Sequence, residues 1–386
     1  MKAALRALRL FTQNAKHSTE TLIHRHAVAL SERLIQDSLP PGDDDAAAHA
    51  AAVEPYDAIE SAVVAVMFEM CFGAPGAGDE ELYSQMMAML HAMRSVMPAV
   101  QSVDVMPWMA PLLRAPLRHY TDSLLRSHRL TRRKTDAIVN AGVPDQPTCV
   151  VHALHQACQS EQADDSQRAR IMATVDDFIG AGSEIVVHLV HWALLYAAKY
   201  PSSVQQRVRD EIGRTVGWTA APLAGDRARM PYTDACMWEI MRHACVTAIS
   251  LPHAAVSDAV IAGCSIPAGT VVFANLYSTG WDPEIWDEPA AFKPERFLTA
   301  DGDHVDREVL GQFMCFGAGR RRCPGAQFGT MEMFIFFVVL MQRCSFSTAP
   351  GHELSADDAD FVLTNKAKRY RVLVHPAAHD HDDEAF

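Results

Sequence analysis

The chain has 386 residues, 49% of them hydrophobic, which is enough apolar material for a large buried core. It carries 34 Lys and Arg against 47 Asp and Glu, and the net charge of −13 argues against a general nucleic-acid-binding protein. Nine cysteines are scattered without a Cys-x-x-Cys pair, so no disulfide framework is indicated and a reducing compartment is predicted. The longest apolar run, 333–341, is too short to cross a bilayer and predicts a buried helix.

Helical periodicity dominates the first half of the chain. We predict helices over three ranges, 1–38, 46–72 and 80–97. A basic helix is predicted over 108–140, with breaks near Pro111 and Pro116, because proline lacks the N–H of the helical ladder. The first half therefore predicts a mainly α protein.

A long helix is predicted from Asp164 or Asp165, either of which can cap its start, to Lys199. Gly180 and Gly182 lie inside it, and each costs about 1 kcal/mol relative to alanine. That cost suggests that something packs closely there. A porphyrin face would explain it, and so would two tolerated glycines at a helix crossing.

Short β-strands are predicted near the end of the chain. A turn at 266–270 separates two of them, and 361–364 and 370–374 are expected to form a terminal hairpin. Residues 379–386 are acidic and polar, and we predict a disordered tail.

The stretch from Phe316 to Gly325 is a glycine-rich turn with one cysteine, Cys323, near its end. Glycines allow the tight backbone that close approach to a flat cofactor requires. Pro324 fits the first turn of the apolar helix that follows, and the positive end of that helix favours the Cys323 thiolate. A thiolate held beside cationic groups can serve as an axial haem ligand.

This stretch resembles the haem-binding loop of the cytochrome P450 family. The family pattern is Phe, two residues, Gly, one residue, Arg or His, one residue, Cys, one residue, Gly. It is met by Phe316, Gly319, Arg321, Cys323 and Gly325. The resemblance implies that Cys323 binds the iron of a haem b, that Arg321 contacts a haem propionate, and that the surrounding loop residues contact the cofactor, Gly317 included.

Two further elements resemble the family's structural network. Glu239 and Arg242 match its Glu-x-x-Arg helix, where residues at i and i+3 share a face and can pair. Arg296, in the sequence Pro-Glu-Arg-Phe, matches the family's meander. The resemblance implies a Glu239–Arg242–Arg296 network.

The stretch 180–185 resembles the oxygen-binding segment of the family's long central helix. Ala181, Gly182 and Glu184 match the pattern, and the resemblance places Glu184 in the proton-delivery region. Ile185 stands where the family has a threonine whose hydroxyl helps to deliver protons. Isoleucine can neither donate nor accept a hydrogen bond.

Two residues resemble further propionate contacts, and four apolar residues are expected to line a substrate pocket. His253 lies in a Leu-Pro-His step, and Arg9 lies in a helix where the family places an arginine. The predicted pocket residues follow the Glu-x-x-Arg helix: Val246, Ala248, Ile249 and Leu251.

The resemblance implies a mainly α P450 fold with small β-sheets, in one domain over 1–378. Within the family, animal microsomal enzymes are most similar, namely the aryl-hydrocarbon hydroxylases and steroid 17α-hydroxylases. Leu5 stands where the family has a tryptophan, and no counterpart of the membrane anchor, the hinge or most of the first β-sheet precedes it. We therefore interpret the chain as N-terminally truncated.

The function implied is that of a haem-thiolate monooxygenase, which inserts one atom of dioxygen into an apolar, steroid-like or aromatic substrate. Its electrons would come from NADPH through NADPH–cytochrome P450 reductase at the endoplasmic reticulum membrane, although a chain without the anchor could be cytoplasmic. Arg320 and Arg322 belong either to a basic patch for that reductase or to an ordinary exposed surface. Two alternatives are a haem-thiolate isomerase or dehydratase acting on peroxides, which Ile185 suits, and an inactive haem-binding remnant.

Overall fold

The computed structural model describes residues 16–39, 51–158, 165–357, 359–361 and 364–377. Within these ranges the molecule is mainly α-helical, with small antiparallel sheets. The predicted fold class is confirmed. The helices are α1 Lys16–Ser38, α2 Tyr56–Phe72, α3 Glu80–Val105, α4 Arg114–Asn140, α5 Val150–Cys158, α6 Asp165–Lys199, α7 Gln206–Thr215, α8 Pro231–Ala244, α9 Leu276–Trp281, α10 Arg307–Gln312 and α11 Ala326–Arg343.

A bundle of α1, α2, α6 and α11 forms the core, with α6 packed against α2 and α11 packed against both α1 and α6. The middle of α11 reads Phe334-Ile335-Phe336-Phe337-Val338-Val339-Leu340, and all of these side chains are buried. A helix that is apolar on every side must be enclosed by protein, and this explains why α11 lies at the centre.

The helix predictions differ from the structure mainly at prolines. Helix α2 begins at Tyr56 rather than residue 46, since Pro55 occupies its N-cap position. Pro116 does not break a helix, because it lies in the first turn of α4, where its missing N–H removes no hydrogen bond. Helix α3 runs past the predicted end at 97 to Val105.

The strands form two-stranded antiparallel sheets. They are β1 His253–Ala254, β2 Ala259–Ile261, β3 Cys264–Ile266, β4 Val271–Val272, β5 Cys344–Thr348, β6 Ala359–Phe361, β7 Asn365–Ala367 and β8 Val372–Pro376. The pairs are β1 with β4, β2 with β3, β5 with β8, and β6 with β7.

The predicted terminal hairpin is wrong. Strand β8 pairs with β5, where Val374 stands opposite Phe346, while β6 forms a hairpin with β7. Both Phe346 and Val374 are buried, so burial of this apolar pair outweighs the shorter connection between β6 and β8. The tail 379–386 and the helix start at 1–15 lie outside the described residues.

One stretch of the described chain, Ala169–Lys199, is long and apolar enough to cross a membrane by length and composition. In the structure 72% of its apolar window is buried inside the protein. That burial is typical of a core helix, in agreement with the place of α6 in the bundle.

A stability prediction arises from Glu332, which is fully buried in α11 and has no hydrogen-bond partner for either carboxylate oxygen among the described residues. Burial raises the pKa of this carboxyl well above its ordinary value. The unfolded chain releases this proton first, so the free energy of unfolding is expected to fall by up to about 1.4 kcal/mol per pH unit above the unfolded pKa.

Because glutamine cannot ionise, the Glu332→Gln variant is expected to lack this part of the pH dependence. Its free energy of unfolding should exceed that of the wild type at pH 8 and lie closer to the wild-type value at pH 5. Urea unfolding at both pH values measures the difference. An equal difference at the two pH values would contradict a buried neutral acid. Exposed Glu81→Gln, on α3, is the matched control.

Candidate functional site

At two positions, the loop before α11 has a backbone conformation that only glycine adopts readily. Gly317 has φ 68° and Gly319 has φ 67°, both in the left-handed region. The N–H of Cys323 donates to the carbonyl of Phe316 at 2.8 Å and closes the loop. The predicted glycine turn is therefore present, and its glycines serve the backbone conformation of the loop.

Cys323 lies just before α11, with its side chain partly reached by solvent. Burial by the loop raises the pKa of its thiol, while the N–H groups of Gly325 and Ala326 and the charge of Arg322 lower it. The end of α11 thus favours the thiolate, as predicted, although burial outweighs it in the net direction of the pKa. Pro324 precedes α11, which begins at Ala326, instead of lying in its first turn.

The structure brings Glu239, Arg242 and Arg296 together. Arg242 donates to Glu239 through Nε at 2.7 Å and Nη2 at 2.9 Å, and Arg296 Nε donates at 3.1 Å. Glu239 and Arg242 are fully buried. Arg242 also donates to the carbonyls of Gly280 and Pro289, so the network ties α8 to α9 and to the segment beyond it.

An apolar recess lies between α6, the end of α8 and the Cys323 loop. Its lining residues are Ile185, Leu189, Met241, Cys245, Val246, Thr247, Leu276, Thr279, Phe313, Cys315 and Phe316. Because Cys315 and Phe316 belong to the segment that leads into the Cys323 loop, the recess joins this loop to the long helix. Such a concave apolar surface with few polar groups suits an apolar ligand.

The predicted pocket residues are placed differently from one another. Val246 lines the recess, whereas Ala248 is buried outside the lining. Ile249 and Leu251 are 41% and 71% exposed. The chain here is extended, with Ile249 bridged to Asn275, so successive side chains point to opposite sides and cannot all face one pocket.

The stretch 180–185 lies on α6, as predicted. A Cβ on Gly182 would lie 2.6 Å from Cε of Met67 on α2, whereas a Cβ on Gly180 would meet no neighbouring segment of the described residues within 4 Å. Gly182 therefore accommodates a helix crossing, which is one of the two predicted explanations. Ala181 is exposed, and Ile185 lines the recess.

These two glycines give a matched pair of variants. Gly180→Ala is expected to raise the free energy of unfolding by about 0.4–1 kcal/mol, because alanine suits a helix and meets no clash. Gly182→Ala must displace buried Met67 and is expected to be about 1–3 kcal/mol less stable than Gly180→Ala. Urea unfolding compares them, and equal stabilities would contradict the close approach of α2 to α6.

Glu184 is buried and ion-paired. Arg94 Nε donates to its Oε2 at 2.8 Å, and His188 Nε2 lies 2.9 Å from its Oε1. Burial alone raises the pKa of Glu184, but the contacts with His188 and Arg94 outweigh it and hold the pKa below its ordinary value. The carboxylate is thus charged and fixed, and its role in proton delivery stays a prediction.

The remaining predicted contacts are placed as follows. His253 begins β1 and is exposed, and Arg320, Arg321 and Arg322 are exposed beside Cys323. Arg9 lies outside the described residues. Arg94, which pairs with Glu184 from α3, carried no motif and could not have been found by spacing, whereas His188 lies four residues from Glu184 on the same helix, a spacing at which helical side chains can pair.

The sequence matches the family model "Cytochrome P450" over residues 2–374, nearly the whole chain. The chain belongs to the cytochrome P450 family. The family implies a haem group. The residues present fit it, because one thiol follows a loop with two left-handed glycines and the recess beside that loop is apolar.

Similar P450 proteins include cytochrome P450 1A3 of Oncorhynchus mykiss, 28% identical over 83% of this chain and 62% of the relative. Cytochrome P450 1A1 of Microgadus tomcod is 30% identical over 83% of this chain and 62% of its own length. Cytochrome P450 1A2 of Callithrix jacchus is 29% identical over 91% of this chain and 66% of its own length. The chain thus spans about three fifths of the first of these relatives.

A solved structure described as a zebra fish cytochrome P450 with progesterone superposes with a TM-score of 0.80. The superposition covers 97% of this chain and 81% of the zebra fish chain, at 24% sequence identity. At this identity the likeness supports the P450 fold, in agreement with the mainly α architecture.

Proposed function

We propose that this P450 is a haem-thiolate monooxygenase that inserts one oxygen atom into an apolar, steroid-like or aromatic substrate. The observation that carries the proposal is Cys323, held by a left-handed glycine loop whose leading segment also lines the apolar recess. A haem b bound through a cysteine would supply the activation of dioxygen.

The chain's own residues would hold the cofactor and the substrate. Cys323 would bind the iron, and Arg321, His253 and Arg9 would pair with the propionates. The recess would exclude water around the haem and supply apolar contacts to a substrate beside it, since its lining is dominated by aliphatic and aromatic side chains. Glu184 would hold a negative charge beside it, because Arg94 and His188 keep this carboxylate ionised.

The partners proposed are NADPH–cytochrome P450 reductase and dioxygen, with the protein at the endoplasmic reticulum. The exposed Arg320 and Arg322 offer positive charge beside the cysteine loop, which suits an acidic reductase surface. We also propose one P450 domain over 1–378, followed by an acidic tail.

The test is turnover of a steroid and a polycyclic aromatic substrate by the haem-loaded chain with NADPH and reductase. Oxygenated product that depends on all components supports the proposal. Full haem loading without product from either substrate class would contradict it.

A second candidate, a haem-thiolate isomerase or dehydratase acting on peroxides, is favoured by Ile185, which lines the recess without a hydroxyl. Conversion of a lipid hydroperoxide without NADPH would support this candidate. Ile185→Thr separates the two, since a hydroxyl is expected to improve NADPH-driven turnover and leave hydroperoxide conversion unchanged. Loss of both activities with haem bound would leave an inactive haem-binding remnant.

A further inference from the structure

Tyr196 on α6 and His243 on α8 form a short hydrogen bond inside the protein. The hydroxyl oxygen of Tyr196 lies 2.5 Å from Nδ1 of His243, and both side chains are buried. The other ring nitrogen of His243, Nε2, lies 3.0 Å from the carbonyl oxygen of Ala290. Because a carbonyl can only accept a hydrogen bond, Nε2 carries the proton of the neutral imidazole ring. The lone pair of Nδ1 therefore accepts the proton that the Tyr196 hydroxyl donates.

A base beside a buried tyrosine permits a reaction that an ordinary hydrogen-bond acceptor does not. Burial raises the pKa of Tyr196 well above its ordinary value, so the hydroxyl keeps its proton in the resting protein. Loss of one electron makes a phenol strongly acidic, and Nδ1 of His243 can then take up the proton. Tyr370 differs, because its hydroxyl donates to the carbonyl of His191 at 2.6 Å and a carbonyl is too weak a base. The surroundings of Tyr196 thus suit one-electron oxidation.

Charged groups near His243 act in opposite directions on its affinity for a proton. Burial is the largest cause of the lowered pKa of His243, and the hydrogen bond to Ala290 opposes it. Arg242 lowers this pKa further, whereas Glu239 and Asp357 raise it. The ring is therefore neutral in the resting protein and free to accept. A proton received from the tyrosine is expected to stay on His243 only while the tyrosine is oxidised.

The pair lies one layer behind the apolar recess. On α6, Tyr196 follows the lining residue Leu189 by seven residues, which is two turns and about 10 Å along the same face of the helix. On α8, His243 lies between Met241 and Cys245, which both line the recess. Tyr196 is thus close enough to exchange an electron with a group bound in the recess, although it does not line the recess itself.

Two further aromatic side chains connect the pair to solvent. The ring centre of His243 lies 4.6 Å from that of Trp281, and Trp281 stacks on Tyr277 at 5.4 Å with the ring planes 15° apart. Tyr277 is 40% exposed. The guanidinium of Arg242 lies 5.9 Å from the ring centre of Trp281. Because this positive charge disfavours an oxidised, cationic indole, Trp281 relays electrons and the oxidised state rests on Tyr196.

We propose that Tyr196 and His243 form a redox-active pair, which supplies one electron to an oxidant in the recess. The electron leaves the phenol, the O–H bond of Tyr196 breaks, and its proton forms a bond to Nδ1 of His243, while the oxidant is reduced by one electron. A soluble reductant such as ascorbate then returns an electron through Tyr277 and Trp281, and the proton returns to the phenol oxygen. Beside a haem, the pair would discharge oxidising equivalents that no substrate consumes. That use rests on the proposed function, whereas the redox activity of the pair does not.

Photo-oxidised tris(bipyridine)ruthenium, a soluble one-electron oxidant, tests the pair in the full chain. Samples are frozen after the flash, and electron paramagnetic resonance measures the tyrosyl radical. The signal of Tyr196 is the difference between the wild type and Tyr196→Phe. Its electron–nuclear double resonance spectrum is expected to show a strongly coupled proton, shared with His243, that disappears when the protein is prepared in D2O. Absence of the difference signal, or of the coupled proton, would overturn the inference.

Variants of the surroundings separate a redox role from a structural one. His243→Gln keeps an acceptor for the Tyr196 hydroxyl but cannot take up its proton, so the difference signal is expected to fall by about tenfold or more. Tyr370→Phe removes a tyrosine that donates to a carbonyl and should leave the signal unchanged. Tyr277→Phe should lower the yield of the Tyr196 radical, and an unchanged yield would overturn the path through Trp281. An equal signal in the wild type and His243→Gln would overturn the pair. The coupled proton is measured in the wild type, so the test stands even where a variant fails to fold.

Turnover separates this inference from the proposed function. A radical on Tyr196 in a chain that forms no product would keep the pair and overturn the monooxygenase. Product from a wild type without that radical would overturn the pair alone. The expected result is both, with more haem destroyed per NADPH consumed in Tyr196→Phe than in Tyr370→Phe when no substrate is present. Equal loss of haem in these two variants would overturn the use of the pair beside the haem.

Discussion

Arg242→Ala is expected to lower the free energy of unfolding by about 3–5 kcal/mol, because it leaves the Glu239 carboxylate buried without its main partner. Both residues are fully buried, and Arg242 also satisfies the carbonyls of Gly280 and Pro289. Loss of one guanidinium would thus remove an ion pair and leave several buried acceptors unpaired.

Urea unfolding with and without haem measures this effect. The control is Arg132→Ala on α4. The side chains of Arg132 and its partner Asp136 are 63% and 41% exposed, so loss of this pair is expected to lower the free energy of unfolding by less than about 1 kcal/mol. If Arg242→Ala were no more costly than Arg132→Ala, the buried network would not hold α8 to its neighbours.

Cys323→Ala is expected to abolish the thiolate-type absorption of the haem-loaded chain while leaving the fold intact. The residue lies in a loop and is partly exposed, so removing its sulfur costs little packing. Absorption spectra of the reduced, carbon monoxide-treated protein and far-UV circular dichroism measure the two properties separately.

The matched control for this change is Cys315→Ala, the other thiol on the loop side of the recess. Cys315 is less exposed than Cys323 and lies outside the predicted ligand loop, which begins at Phe316. Cys315→Ala should keep the thiolate spectrum. If Cys315→Ala lost that spectrum and Cys323→Ala kept it, Cys315 would be the ligand and the proposed role of Cys323 would be wrong.

Local features of the site could be predicted from the sequence. The glycine turn at Gly317 and Gly319 and the pairing of Glu239 with Arg242 depend on neighbours within a few residues, so spacing is informative. Arg296 joined that prediction only through resemblance to the family, because 57 residues separate it from Glu239.

Features that depend on packing between distant segments could not be predicted. Strand β8 pairs with β5 instead of a strand close to it in sequence, and Gly182 packs against Met67 of another helix. The ion pairs of Arg94 with Glu60 and Glu184 join three helices, and no periodicity within one helix reports such contacts. Leu251 is exposed because the extended chain alternates its side chains, which an apolar composition does not reveal.

The most direct test of the account is the ferrous–carbon monoxide difference spectrum of the purified chain after loading with haem. The account predicts a strongly red-shifted Soret band, which reports a folded protein with the Cys323 thiolate on the iron. A band at the position of a haem with a neutral ligand, or failure to retain haem, would contradict the proposed haem-thiolate site.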